Sequence, residues 1–411
     1  MSEAEVPPKP PFPNRTKVIL LAFVLSRVVV ILLALNPDSY AHGPDLAADR
    51  DLLYRSWSSQ VLDHGSVPYS ETPIEYPPGA IPFLILPGVF GTGVVTYRLA
   101  FVLMMAVIDL AGLVACLRIA KRWAAPRAAW LWIVLVGLMG PLAYARFDLV
   151  PAVMTAWAIE AMVRERWGRA AGWIAAGGVA KIYPFLLLPL LLVSTPRRRR
   201  VVLASVAVLL VGLLPFITVL GDVWQDVGSY HLTRGIHVES LAGSLLFIAS
   251  RQGLASPLQF GSGALHFTGN VAEELRFVCD ALVLLAMAVG IYISAKLPRG
   301  DVRNLAATML GTLCLAMVAS PVLSPQFMLW IIPLGVAVYA GQAGRPIPFL
   351  LLGITLATMA IFPFLYTELT FAEPLPLILL WGRNLALLGL GILVLRPPWR
   401  SIRQAGPSVK D

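Results

Sequence analysis

Long apolar runs alternate along this chain with short basic segments and two long polar stretches. A helix needs about 20 apolar residues to cross a bilayer. Runs of that kind fall at 17–35, 96–118, 127–144, 147–163, 201–220, 275–296, 304–322, 327–341, 347–366 and 376–396, and they predict ten spans. The run 80–93 is short and interrupted by Pro82, Pro87 and glycines, which reads as an interfacial or re-entrant piece. The run 170–194 lies between two basic segments, Arg164 to Arg169 and the 197–200 arginines. Two half-helices meeting at Lys181-Ile182-Tyr183-Pro184 keep both basic segments on one side. Pro184 lacks a backbone donor and disfavours helix before it, which supports a break there.

Basic residues then set the orientation. Arg118, Lys121, Arg122, Arg127, Arg164, Arg166, Arg169, the 197–200 run, Lys296, Arg299, Arg303, Arg345, Arg396, Arg400 and Arg403 all fall on one face. The positive-inside rule makes that face cytoplasmic. The other face receives loops 36–80 and 221–274. The first carries Asp38, Asp45, Asp49, Asp51, Asp63, Glu71 and Glu75; the second carries Asp222, Asp226, Glu239, Glu273 and Glu274. The expected class is an all-α integral membrane bundle with two long extracytoplasmic loops. It divides into a Pro-rich, disordered cytoplasmic N-terminus (1–16), one membrane domain (17–396) and a cytoplasmic tail (397–411).

Composition sharpens this picture. The 411 residues are 58% hydrophobic and 13% charged, with a net charge of +9. Ordinary soluble domains are about half apolar and about a quarter charged. A soluble enzyme, a disordered chain and a disulfide scaffold are excluded. The positive charge belongs to membrane orientation rather than nucleic acid. Cys116, Cys279 and Cys314 lie in apolar runs and read as small apolar residues. No phosphate-binding glycine loop, zinc-type histidine pair or nucleophile elbow occurs.

The chemistry concentrates in the outer loops. The first reads Asp49-Arg50-Asp51-Leu52-Leu53-Tyr54, then Gly65-Ser66-Val67-Pro68-Tyr69, then Glu75-Tyr76-Pro77-Pro78-Gly79. A shielded carboxylate suits a general base, and Asp49 and Asp51 are the candidates. Asp38, Asp45 and Asp63 read as solvated. Glu75 is either a positioning group or a turn cap. Lys181 sits at the helix break, where an ionisable group is a functional candidate, and a structural ion pair competes. Arg146 lies beside Asp148 at an outer helix end, so an ion-pair network competes with ligand contact. Arg234 and His237 lie in the second loop near Tyr230, His231 and Glu239. His42, His64 and His266 carry no such pattern and are expected at the surface. Arg27 and Asp109 match in depth and are expected to pair, with phosphate contact by Arg27 as the rival. Gln326 sits in the turn Ser324-Pro325-Gln326-Phe327. Trp57, Tyr69, Tyr76, Trp224 and Trp330 suit an interfacial belt or the core, with sugar stacking a rival for Tyr69 and Trp57. Glu160 and Asp280 have no assignment.

Asp-x-x-Tyr, Gly-x-x-Pro-Tyr and Tyr-Pro-Pro-Gly after the first helix resemble the polytopic GT-C glycosyltransferases. The likeness is greatest to glycosyltransferase family 87, the polyprenol-phosphate-mannose-dependent mannosyltransferases. Arg146-Phe147-Asp148, Lys181-Ile182-Tyr183-Pro184, Arg234 to Ser240 and Ser324 to Phe327 agree, so the resemblance covers about 17–396. It implies a bacterial plasma-membrane enzyme working on the periplasmic side, with a polyprenyl-phosphate sugar donor and a glycolipid or polysaccharide acceptor. It implies inverting transfer, most simply of mannose, with arabinofuranose or another hexose as alternatives. The pattern maps the base to Asp51, with Asp49 in competition. Lys181, Arg234, His237 and Arg146 would then contact phosphate. Glu75, Tyr54, Tyr76, Glu239 and Gln326 would position substrate. The spacing requires no metal or other cofactor. A secondary transporter or lipid flippase is the rival from another class.

Overall fold

The computed structural model describes residues 13–40, 46–228, 234–253, 257–261, 263–342 and 346–404. Asp45, His42, Tyr230, His231, Arg345 and the side chain of Arg403 lie outside what is described. The described helices include α1 (Pro13–Leu35), α2 (Arg55–His64), α3 (Val94–Arg122), α4 (Ala128–Leu138), α5 (Leu149–Val163), α6 (Trp167–Ala180), α7 (Leu187–Ser194) and α8 (Arg198–Leu213). There follow α9 (Leu241–Arg251), α10 (Asn270–Lys296), α11 (Val302–Ala319), α12 (Met328–Gly341), α13 (Ile347–Met359) and α14 (Pro374–Gln404).

Among the described residues, seven helical stretches are long and apolar enough to cross a membrane: Thr16–Leu35, Val94–Arg122, Arg198–Gly228, Asn270–Lys296, Val302–Ala319, Ile347–Phe364 and Pro374–Ile402. The protein is a multi-pass, helical membrane protein. Three expected spans are shorter helices: 127–144 is α4 with a separate turn at Leu142–Ala145, 147–163 is α5, and 327–341 is α12. A helix of 15 residues is roughly 22 Å long, below the bilayer's ~30 Å core. α5 and α12 are buried almost all round. Their uniform apolarity reflects protein neighbours rather than lipid.

The expected break in 170–194 is present. α6 stops at Ala180, Lys181 is extended (φ −156°, ψ 133°), and a tight 3₁₀ turn at Tyr183–Leu186 leads into α7. The Tyr76-Pro77-Pro78-Gly79 motif packs against this break. A Cβ on Gly79 would lie 2.9 Å from the carbonyl of Val179, so glycine is what permits the close approach. Arg27 and Asp109 pair as expected, at 2.7 Å. Asp109 also accepts from Trp132 Nε1 (2.7 Å) and Tyr144 Oη (2.8 Å).

The two long loops are folded. The first begins with a wide π-type turn at Asp49–Tyr54 that leads into α2. Gly65 ends α2 at φ 72° and donates its amide to Gln60, the usual left-handed helix stop. Run 80–93 becomes consecutive short helices, Ile81–Ile85 and Leu86–Phe90. The second loop adds strands the apolar pattern did not predict: β1 (Ile236–His237), β2 (Leu258–Gly261) and β3 (Ala264–Phe267), antiparallel in the order β1-β3-β2. Ser240 caps α9 by accepting from the Gly243 amide at 2.9 Å. Asp226 accepts from the Ile74 amide at 3.0 Å and joins the two loops.

Candidate active site

Two helix interruptions deliver cations to one place. Arg146 is extended (φ −120°, ψ 147°) between the Leu142–Ala145 turn and α5, and Lys181 is extended after α6. Both line a cavity of about 320 Å³ with Asp49, Glu75, Tyr76, Arg234, His237, Glu239 and Gln326. The cavity sits where both long loops meet the ends of α5, α6 and α12. Of the residues proposed from sequence, Asp51 and Tyr54 stay out of the lining.

The two aspartates separate in the opposite sense to the sequence expectation. Residues two apart on a helical turn point roughly 160–200° away from each other. Asp49 faces the cavity and pairs with Arg146. Asp51 faces inward and is clasped by arginines. Arg50 reaches both its oxygens (2.7 and 2.9 Å), and Arg98 reaches one at 2.8 Å. Arg50 also donates to the Ala34 carbonyl (2.8 Å) and Arg98 to that of Leu35 (3.0 Å). Asp51 therefore anchors the loop to the end of α1. Tyr54 is fully buried behind the wall, and its hydroxyl lies 2.8 Å from that of Tyr76. Its contribution passes through Tyr76.

Lys181 Nζ donates to Asp148 at 2.8 Å, and Trp330 Nε1 donates to the other oxygen of Asp148 at 2.7 Å. Asp148 thus holds Lys181, while Arg146 turns to Asp49 instead of its near neighbour. The ammonium lies 4.9 Å from the Tyr76 ring centre and 5.8 Å from that of Trp330, within cation–π range. Trp330 is sandwiched between Tyr183 (4.2 Å, 7°) and Phe327 (3.8 Å, 20°). Trp57, Tyr69 and Trp330 are interior residues, and neither Trp57 nor Tyr69 lines the cavity; Trp224 is exposed.

β1 and β3 place His237 opposite His266, their rings 5.4 Å apart. His266 is buried rather than at the surface, and its Nε2 lies 3.4 Å from Arg234 Nη2. Burial, then Arg234, pushes His266 down to about 4. Burial, then His266 and Arg234, holds His237 well below the usual imidazole range. Both rings are neutral at pH 7. His237 Nδ1 lies 2.9 Å from the Leu323 carbonyl. A carbonyl only accepts, so Nδ1 carries the proton and Nε2 is an acceptor. The phosphate contact expected from the sequence would need a proton on Nε2, which this tautomer does not place there.

The family model described as Glycosyltransferase family 87 matches residues 75–321, more than half of the chain. The chain belongs to glycosyltransferase family 87. It is therefore a glycosyltransferase, and the charged cavity draws its lining from the matched region (Glu75, Arg146, Lys181, Arg234, His237, Glu239), from the loop turn before it (Asp49) and from residues beyond it (Gln326, Trp330, Tyr366). Among solved structures, the chain is similar to ArnT from Cupriavidus metallidurans bound to undecaprenyl phosphate. That match has 15% identity and a TM-score of 0.49, covering 95% of this chain and 79% of that one. No curated protein matches the sequence significantly.

Sequence reasoning gave no role to Arg50, Arg98 or Arg383 and placed Asp148 beside Arg146 rather than Lys181. Arg50 and Arg98 hold Asp51, Asp148 holds Lys181, and Arg383 is fully buried against Glu239 at 3.0 Å. Arg383 had a signal, a single charge deep in the last apolar run.

Proposed function

We propose that the cavity receives a polyprenyl-phosphate-linked sugar, most simply mannose, and transfers it with inversion to an acceptor hydroxyl on the extracytoplasmic face. The observation that carries this reading is the Asp49 carboxylate, paired with Arg146 and sharing a single hollow with Lys181 and Arg234 in a family 87 chain.

In this reading Asp49 takes the acceptor proton as the acceptor oxygen bonds to the anomeric carbon. The bond from that carbon to the phosphate oxygen breaks on the opposite face. The leaving lipid phosphate gains a negative charge at the moment Asp49 loses one. Arg146, paired with Asp49 beforehand, is then released toward the phosphate. Lys181 and Arg234 supply fixed positive charge, and preorganised charge in a water-poor site is the strongest catalytic device for such steps. Family membership and a base beside cations favour chemistry over transport. Purified protein in lipid nanodiscs, given labelled polyprenyl-phosphate mannose and extracted membrane glycolipids, should move label to the acceptor. Label that stays on the carrier while crossing the membrane of a proteoliposome would replace this reading with transport. A panel of carriers bearing arabinofuranose, glucose or galactose assigns the sugar.

A further inference from the structure

The cavity wall contains an oxygen that the protein leaves without a partner. Glu239 is fully buried and lines the cavity. Its Oε2 accepts from Arg383 Nη1 at 3.0 Å. Its backbone carbonyl accepts from Arg383 Nη2 and, at 3.4 Å, from Asn384 Nδ2. Its Oε1 has no hydrogen-bond partner among the described residues. An unmet buried carboxylate oxygen is costly, and such a group is normally satisfied or serves a ligand. Arg383 grips both the carboxylate and the main chain of Glu239, so rotation of the side chain toward another partner is opposed. The nearby Nε2 of His237 is likewise an acceptor.

We infer that Glu239, fixed by Arg383, reads a hydroxyl of a sugar bound in the cavity. This rests on the donor reading above and adds a division of labour within it. Phosphate brings only acceptors when ionised; burial raises the Glu239 carboxyl to about 7 against the pull of Arg383, and it is the ionised form, favoured by Arg383, that repels phosphate and accepts from a hydroxyl. A sugar hydroxyl brings the proton that Oε1 requires. The carboxylate also rejects an analogue lacking that hydroxyl, because its oxygen would be left buried and unmet. Glu239 is thereby a specificity residue, and Arg383 is a positioning residue acting through it. Hydroxyls of the donor sugar and of a sugar acceptor share this chemistry.

The test compares Glu239→Gln with wild type in nanodiscs, using three probes: polyprenyl-phosphate mannose, bare polyprenyl phosphate and octyl α-mannoside as acceptor. Gln is isosteric and keeps an oxygen for Arg383, but turns the cavity-facing acceptor into a donor. If the donor hydroxyl is read, affinity for the mannosyl lipid falls about tenfold or more while affinity for the bare lipid holds. If the acceptor hydroxyl is read, KM for octyl α-mannoside rises by a similar factor and both lipid affinities hold. Arg383→Lys, which keeps the charge but not the fork, should move the same quantity less. Equal changes for both lipids, or no change with any probe, would overturn the inference. Wild-type protein that binds neither lipid would remove the donor reading itself, a result separable from an altered ratio between the two lipids.

Discussion

Two of the Arg–Asp pairs among the described residues sit in contrasting settings. Arg27 and Asp109 meet inside the bundle, and Asp109 is saturated: Arg27 Nε, Trp132 and Tyr144 each donate to it within 2.8 Å. Neither residue lines the cavity. Arg146 and Asp49 meet at the cavity wall with Lys181, Arg234 and Glu239 around the same space. Both pairs join the same two side-chain types. The difference lies in whether the protein uses up the hydrogen-bonding capacity. A closed cluster stabilises one arrangement of helices, whereas an open one keeps charge available to a reacting molecule.

The sharpest way to break this contrast is at the carboxylates. Asp49→Asn should lower sugar transfer by about 10²–10⁴-fold, the usual worth of a general base, while thermal stability stays near wild type. Asp51→Asn should do the reverse. It leaves Arg50 and Arg98 without their counter-charge, so folded yield falls while the surviving protein retains turnover. Transfer assays beside melting curves separate the two. If Asp51→Asn abolishes transfer in fully folded protein, the base assignment returns to Asp51.

Next in size is the closed pair itself. Asp109→Asn strands Arg27 in the bundle interior, and breaking one side of a buried ion pair costs about 3–5 kcal/mol. Denaturant or thermal unfolding in detergent should register that loss, with transfer per folded molecule unchanged. Reduced turnover at unaltered stability would mean that Arg27 and Asp109 belong to the site after all.

These outcomes also mark where sequence reading succeeds. The break at Lys181 was legible because Pro184 acts locally on the preceding backbone. The Arg27–Asp109 pair was legible because depth follows from counting along two helices. The order of Asp49 and Asp51 was not, because a motif fixes spacing but not which side of a turn faces the hollow. Asp148 holding both Lys181 and Trp330 joins residues far apart in the chain, and no local pattern encodes that. The strands around His237 have at most four residues each, too short for an alternation to register. The family resemblance covered most of the region that lines the cavity, and the geometry then shows which of its residues share that space.

A smaller effect should follow acidification. His266 is held at about 4 in the folded protein, against about 6.5 when unfolded. Between those values the unfolded chain binds a proton that the folded one refuses. Stability therefore falls as pH drops from 6.5 towards 4 and is steady above that window. His237, shifted the same way, adds to the slope. His266→Gln should flatten the dependence of melting temperature on pH, and an unchanged slope would assign the acid sensitivity elsewhere.

The finest test concerns the wall behind the cavity. Tyr54 backs Tyr76, through hydroxyls 2.8 Å apart and edge-on rings at 5.6 Å, and packs also on Trp57 and Phe101. Tyr54→Phe keeps the ring packing and deletes one neutral hydrogen bond, worth about 0.5–1.5 kcal/mol. The Tyr76 ring also faces Lys181, so freeing its hydroxyl loosens one wall of the ammonium's surroundings. A two- to fivefold rise in donor KM with kcat nearly unchanged is expected. Tyr76→Phe should match it, and the double variant should add little, because both singles remove the same contact. Additive losses would instead show that Tyr54 and Tyr76 act on the open cluster independently, through contacts other than the one they share.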